Sequence, residues 1–272
     1  MAPKSFKKSP NYVQSLDRGL RVLRAFDHDL PAATLSQVAE RAALSRAVVR
    51  RLLMTLQHLG YVGNSGRSFF LTPRVLQLGY SYLASLDLTE LAPQSMERLS
   101  REVGESCSMA ILDGRDIVYV VRVPVRRVMS VALGVGARLP AFATSMGRVI
   151  LADLTGSALD AWLRGQIFPT YTPQTLHTAS ALKHELMRVR AQGYALVVRE
   201  LEPGLCSIAV PIRAADASVI AALNVGMSFS DEAPRRAVDE ILPALRETSK
   251  EIEQVIAHSG WLPNLAMRRP YE

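Results

Sequence analysis

The sequence predicts an α+β fold in two domains, and three observations predict it. Residues 34–62, from Thr34-Leu35-Ser36 to Gly60-Tyr61-Val62, have the spacing of two short helices that meet at a tight corner. The whole basic excess of the chain lies in its first 80 residues. From Leu91 onward, strand-like runs at the start and end of the segment enclose helical ones, the order expected of a mostly antiparallel sheet crossed by helices.

The charge is informative because of where it sits. The chain has 272 residues, 49% of them hydrophobic, and a net charge of +7. Residues 1–80 hold 12 Lys and Arg against 4 Asp and Glu, whereas residues 81–272 hold 20 against 21. At roughly 100–200 residues per domain the length favours two domains. A basic module joined to a neutral one suggests polyanion binding in the first and regulation or catalysis in the second. No apolar stretch approaches the roughly 20 residues that span a bilayer. The lysines of the N-terminus have no apolar core behind them, so a signal peptide is not expected. Two cysteines, Cys107 and Cys206, are too few for a disulfide framework, and their scarcity fits a reducing cytoplasm.

Taken in order, Gln14–Phe26 reads as an amphipathic helix with Leu16, Leu20, Leu23 and Ala25/Phe26 inward and Asn11 as its cap. Pro31 interrupts the chain, and a second helix runs from Thr34 to Ala42 with Leu35, Val38, Ala39 and Ala42 on its inner face. Ala43 and Leu44 make the corner. Ala stands there where glycine turns more easily, at some cost in backbone strain. Ser45 caps the third helix. At 100° per residue, with Arg46 at zero, Arg50 falls near about 40°, Met54 near 80°, Ala47 near 100° and Arg51 near 140°. Val49, Leu52, Leu53, Leu56 and Leu59 cluster on the opposite side, between about 220° and 340°. One face is core and the other is basic. A helix of this kind places its first turns in the major groove of double-stranded DNA. Arg46 and Arg50 are the candidates for base or phosphate contact, Arg51 for phosphate, with Ser45 and Ala47 beside them.

Tyr61–Leu71 reads as a hairpin around a Gly/Asn/Ser turn, the wing of a winged helix-turn-helix, with Arg67 near its tip. Pro73 opens a linker helix whose apolar stripe also suits dimerisation. The expected domain limits are 12–72 for the winged helix, 73–88 for the linker and 89–260 for the second domain. Residues 1–11 and 261–272 are expected to be flexible tails.

In the second domain Leu91–Val103 is helical. Cys107–Leu112 and Ile117–Val123 form a hairpin around Asp113-Gly114, Val128–Leu133 is a further strand and Gly134–Pro140 is a loop. Thr144–Leu154, Ser157–Leu163 and Ala181–Ala191 are helical. Strands return at Tyr194–Arg199, Cys206–Arg213 and Val219–Met227, and a last helix spans Glu232–Ala257. Such a sheet with helices across it encloses a small-molecule pocket. Enzyme signatures are missing from the sequence. Gly134-Val135-Gly136 lacks the third glycine of a dinucleotide fingerprint. There is no Gly-x-Ser-x-Gly elbow, phosphate-binding Walker loop or His-Glu-x-x-His. The five histidines are scattered, so neither a metal nor a cofactor is expected.

Helix pair, wing, linker and second domain together resemble the IclR family of bacterial transcriptional regulators over residues 12–258. The most specific stretches are Gly136-Ala137-Arg138-Leu139-Pro140-Ala141-Phe142-Ala143-Thr144-Ser145-Met146-Gly147-Arg148, Gly193-Tyr194-Ala195 and Arg199-Glu200-Leu201-Glu202-Pro203-Gly204-Leu205-Cys206-Ser207. Val123–Val131 and Ala143–Gly147 look closest to the subgroup governing protocatechuate, 4-hydroxybenzoate and β-ketoadipate catabolism. The resemblance implies a homodimer or tetramer on a pseudo-palindromic operator, with a GAF-like effector domain that takes a small carboxylate. In family members that hold small oxo-acids, the matching positions are Ser145, Met146, Ser207, Asn224 and Gly226, with a carboxylate where this chain has Val197. The apolar Val197 favours a larger, partly apolar acid. Thr144 or Ser145 capping the helix to Leu154 leaves free amides as an anion seat. Arg138 either pairs with the ligand or lies on the surface, Ser207 either contacts ligand or fills a strand, and Glu200 bonds a turn near Pro203-Gly204. The alternatives are an enzyme acting on an aromatic acid behind a basic appendage, and a nonspecific nucleoid-type DNA binder.

Overall fold

A computed structural model describes residues 7, 9–27, 29–79, 88–125, 133–154 and 156–259. The chain divides into two compact units, Met1–Tyr82 and Leu83–Glu272. In the first, α1 (Gln14–Leu23), α2 (Leu35–Ala42) and α3 (Arg46–His58) surround a core of Val22, Ala25, Phe26, Val38, Ala39, Val49 and Leu53. The start of α2 is fixed by a reciprocal pair. Thr34 Oγ1 accepts from the Gln37 amide while the Gln37 side chain accepts from the Thr34 amide, which satisfies two of the donors a helix start leaves open. Ala43 ends α2 at φ 51°, ψ 50°, in the left-handed region, and Ser45 Oγ then accepts from the Val48 amide to start α3. The corner between α2 and α3 is therefore one strained alanine followed by one hydroxyl cap.

The hairpin forms as β2 (Val62–Ser65) and β3 (Ser68–Leu71). It gains a third strand that periodicity did not reveal, β1 (Ala32–Thr34), paired antiparallel to β3 through Ala32–Phe70, Ala33–Phe69 and Thr34–Ser68. Three residues are too few to show a period. Other expectations also need correction. The N-cap of α1 is Val13, with no side-chain bond, because Asn11 belongs to a turn closed by the Ser9 hydroxyl and carbonyl. Leu16 and Leu20 are exposed, with Val13 beside them, since α1 meets its core through its last turn and Ala25 and Phe26 beyond it. Leu59 is 47% exposed rather than core, because α3 ends at His58. Past Pro73–Val75, a single 3-10 turn, helical residues continue over 76–79, and the rest of the expected linker helix lies outside the described residues.

The second unit is a six-stranded antiparallel sheet in the order β6-β5-β4-β9-β8-β7, made of β4 (Ser106–Asp113), β5 (Asp116–Val123), β6 (Arg138–Pro140), β7 (Ala195–Val198), β8 (Leu205–Arg213) and β9 (Val219–Ser228). Arg138–Pro140 is thus an edge strand and not a loop, held to β5 through Ile117–Leu139. The strand expected at 128–133 lies outside the described residues except for Leu133. Side chains alternate between two apolar layers. Cys107, Met109, Ile111, Cys206, Ile208, Val210, Leu223 and Val225 face α4 (Pro93–Val103) and the C-terminal helix α8, which runs through Ala233–Arg236, a π turn over Ala237–Ile241 and Leu242–Ser259. Ala110, Leu112, Ala209 and Ala222 face α5 (Ser145–Asp153), α6 (Gly156–Leu163) and α7 (Ala179–Gln192). Burial pushes the Cys107 thiol up to about 12 and that of Cys206 to about 11, so both stay protonated and inert.

Gly147 sets how α5 enters this layer. A Cβ there would sit 2.0 Å from the Ala141 carbonyl oxygen, so only glycine lets the helix start against the Ala141–Ala143 turn. The left-handed Ala43 makes the first prediction. Ala43→Gly removes a cost of about 1 kcal/mol or more and should raise the denaturation midpoint of the N-terminal unit. A lowered midpoint would show that the corner carries no strain.

Candidate functional sites

In the first unit the exposed face of α3 carries Arg46, Ala47, Arg50, Arg51 and Met54, while Val49 and Leu53 are buried behind it and Leu52 and Leu56 half-buried. No ion pair involves Arg46, Arg50 or Arg51 among the described residues, in contrast to Arg21 with Asp17 and Arg41 with Asp27. Three free guanidinium groups on one helix face are available to phosphates and to guanine edges. Ser45 is occupied as the cap and exposed. Arg67 is exposed in the β2–β3 turn beside Gly66, whose φ of +60° lets the hairpin reverse.

In the second unit a cavity of about 450 Å³ opens between the sheet and the first turn of α5. Its floor follows from strand register. On the α5 face, β4 presents Ser106 and Ser108 before Ala110. Likewise β8 presents Ser207 before Ala209, and β9 presents Gly226 and Asn224 before Ala222. One half of this face is alanine and closes against α5, and the other half is small and polar and stays open. The structure brings Thr144, Ser145, Met146, Val197, Ser207, Asn224 and Gly226 to this one cavity.

Thr144 is the cap of α5, its hydroxyl accepting from the Gly147 amide at 3.2 Å. The amides of Ser145 and Met146 occupy the first helical positions, which have no partner within a helix. Ser145 Oγ and Ser207 Oγ share a hydrogen bond of 2.7 Å, and Asn224 Nδ2 donates to Ser207 Oγ at 3.0 Å. The chain ends unfinished. Asn224 Oδ1 is buried without a hydrogen-bond partner. Arg138, by contrast, does not line the cavity. It lies on the exposed side of β6, bonded to Asp113 and Asp116.

Among the lining residues that escaped sequence reasoning are Ser108, Tyr119 and Arg122. Strict alternation along β5 puts Ile117 and Tyr119 on one face and Arg122 on the other. A bulge breaks it. Met109 pairs with Val121 but Ala110 pairs with Tyr119, so Val120 is an extra residue and Tyr119 and Arg122, three apart, share the cavity face. Arg122 Nη1 donates to Ser108 Oγ at 3.4 Å, a long bond, and no carboxylate pairs with Arg122 among the described residues. Its charge favours the ionised forms of Tyr119 and Cys107, but burial outweighs this and lifts the Tyr119 phenol to about 12.

Glu200 holds the rim. Its carboxylate accepts from both terminal nitrogens of Arg148 on α5 and from the Leu176 amide, so it does not bond the Pro203-Gly204 turn as expected. Arg148, 1% exposed, also donates to the Phe142 carbonyl. The Thr172 and Thr175 hydroxyls donate to the carbonyls of Arg199 and Glu200, where Arg199 sits at φ 60°. The pair thus ties α5 to the segment that runs on to Leu201, Glu202 and Gly204 at the cavity.

Among the described residues no cluster of three or more His, Cys, Asp or Glu is placed to hold a metal ion, and no helix is long and apolar enough to cross a membrane.

Residues 15–65 match the IclR helix-turn-helix domain, and residues 80–254 match the bacterial transcriptional regulator IclR C-terminal domain. The chain belongs to the IclR family. It is a transcriptional regulator, and the enzyme alternative falls, since the families matched and the relatives found are regulators. The Pca regulon regulatory protein of Pseudomonas putida is 41% identical over 249 residues, covering 91% of this chain and 86% of that one. The p-hydroxybenzoate hydroxylase transcriptional activator of Acinetobacter baylyi is 35% identical over 254 residues, covering 92% and 94%. Among solved structures, an IclR homolog from Microbacterium hydrocarbonoxydans complexed with 4-hydroxybenzoate superposes with a TM-score of 0.78 at 28% identity, covering 89% and 98%.

The buried pair at the rim of this IclR-type effector unit carries a prediction. Glu200→Gln leaves the enclosed Arg148 guanidinium with only the more distant Glu185 carboxylate, at 3.9 Å, as a counter-charge. The second unit should lose about 3 kcal/mol in denaturant unfolding, and a loss below 1 kcal/mol would show that the pair is not what holds the rim.

Proposed function

We propose that this regulator controls an operon for the breakdown of aromatic acids and that a small ring carboxylate, bound in the second unit, sets its hold on DNA. The observation that carries the reading is the cavity itself. It has a polar half with a cation, Arg122, that no carboxylate pairs with among the described residues, and an apolar half of Leu133, Leu139, Leu201 and Val197. An oxo-acid of two or three carbons would leave that apolar half wet, whereas a benzene ring bearing a carboxylate covers it. The similarity to a Pca regulon regulatory protein, to a p-hydroxybenzoate hydroxylase transcriptional activator and to a homolog holding 4-hydroxybenzoate supports the same class.

The output is the α3 face. A single winged helix reads one half-site, so two copies on a pseudo-palindromic operator are needed for specific binding, and the protein acts as a dimer or tetramer in the cytoplasm, where its DNA is. Effector binding changes the population of dimer geometries and with it the spacing of two α3 helices. Residues 12–72 serve as the DNA-binding part, 73–88 as the connection and 89–260 as the effector part.

Two measurements test this. In a mobility shift on the upstream region of its own operon, protocatechuate, 4-hydroxybenzoate or β-ketoadipate added singly should alter the shift. Indifference of the protein to every fragment would remove the operon reading. Arg50→Ala should weaken specific binding about tenfold to a hundredfold, the equivalent of roughly 1–3 kcal/mol for a lost base contact, with little change in nonspecific binding. Equal loss on both would make Arg50 a phosphate anchor.

A further inference from the structure

The cavity has two chemically distinct polar groups left incomplete, and they lie on one rung of the sheet. Arg122 on β5 pairs with Ser108 on β4, and Ser108 pairs in turn with Asn224 on β9. Two strand spacings separate the backbones of Arg122 and Asn224, about 10 Å. The guanidinium leans toward the interval between them, as its contact with Ser108 shows. A guanidinium offers five donors in a planar fork, and among the described residues one of them makes a single long bond. At the other end Asn224, 7% exposed, spends its Nδ2 on Ser207 and leaves Oδ1 as a buried acceptor with no donor. Burying such an atom unpaired is costly, and a partner brought by a ligand removes the cost.

We propose that the effector binds with a fixed polarity: its carboxylate on Arg122 and a ring hydroxyl donating to Asn224 Oδ1. The class is therefore a hydroxylated aromatic acid, and the anion seat is a side chain on β5 rather than the first amides of α5. The α5 terminus is the weaker competitor on two counts. It offers a partial charge where Arg122 offers a whole one, and the Ser145 hydroxyl beside it is already bonded to Ser207. Position matters too. The bulge at Val120 is what turns Arg122 into the cavity at all, and bulges serve to re-aim a side chain beside a site. This inference rests on the aromatic-acid reading above and adds to it the residues that recognise each end.

The test is a calorimetric titration of the full chain with 4-hydroxybenzoate, 4-hydroxybenzamide and benzoate. The wild-type protein should bind the hydroxy acid at least about tenfold more tightly than the amide, the margin of a hydrogen-bonded charge pair. In Arg122→Gln the acid should fall to the affinity of the amide, and Arg122→Lys should keep part of the preference. Asn224→Leu should erase the preference for 4-hydroxybenzoate over benzoate and leave benzoate binding intact, which also shows that the variant is folded. An undiminished acid preference in Arg122→Gln would overturn the assignment and move the carboxylate to the α5 terminus. An undiminished hydroxyl preference in Asn224→Leu would overturn the other end. Absence of wild-type binding to all three compounds would instead remove the aromatic-acid reading, and this one with it.

Discussion

The second unit depends on how closely α5 lies on the sheet. That approach needs small side chains on both partners: Gly147 where α5 meets the Ala141 carbonyl, and Ala110, Ala209 and Ala222 beneath. Where the rung residues change from alanine to serine, asparagine and glycine, the contact opens into a cavity instead of closing. The cavity is thus a continuation of the core in which packing has been replaced by unsatisfied polarity. Core and site are two halves of one sheet face, and the first turn of α5 is their common wall.

The same economy explains the buried ion pair. Arg148 lies three residues beyond Ser145 on α5, and its guanidinium is enclosed by the Phe142 carbonyl and Glu200. A buried charge pair is a poor source of net stability compared with apolar packing, but breaking one is expensive. What it provides here is position. It sets the distance between the capped start of α5 and the segment from Arg199 to Gly204, both of which border the cavity.

Much of this was legible from residue order. The two-helix corner showed itself in Thr34, Ala43 and Ser45, because caps and reversals have local chemistry that sequence displays. The long strands and helices showed themselves through periods of 2 and 3.6, and Ser207, Asn224 and Gly226 were marked by the resemblance to the family rather than by their strands alone. Other features left no local signal. β1 is three residues long, and Leu139 joins the sheet only because an edge of β5 is free to receive it. Leu16 and Leu20 looked inward because a moment shows that a face exists, but not what covers it. Arg138 stood out because Gly134–Pro140 read as a loop leading to the cavity helix, whereas Arg122 gave no sign, because a single unpaired valine reverses the phase of everything after it in β5. A bulge is a relation between two strands, so neither strand alone announces it.

That bulge decides which side chains of β5 the cavity wall receives. Straightening β5 with Val120 kept in the ladder would restore strict alternation and turn Arg122 onto the α4 side of the sheet, while Tyr119 and the residues before it kept their places. The register of β5, and not its composition alone, therefore sets whether the cavity wall carries a charge.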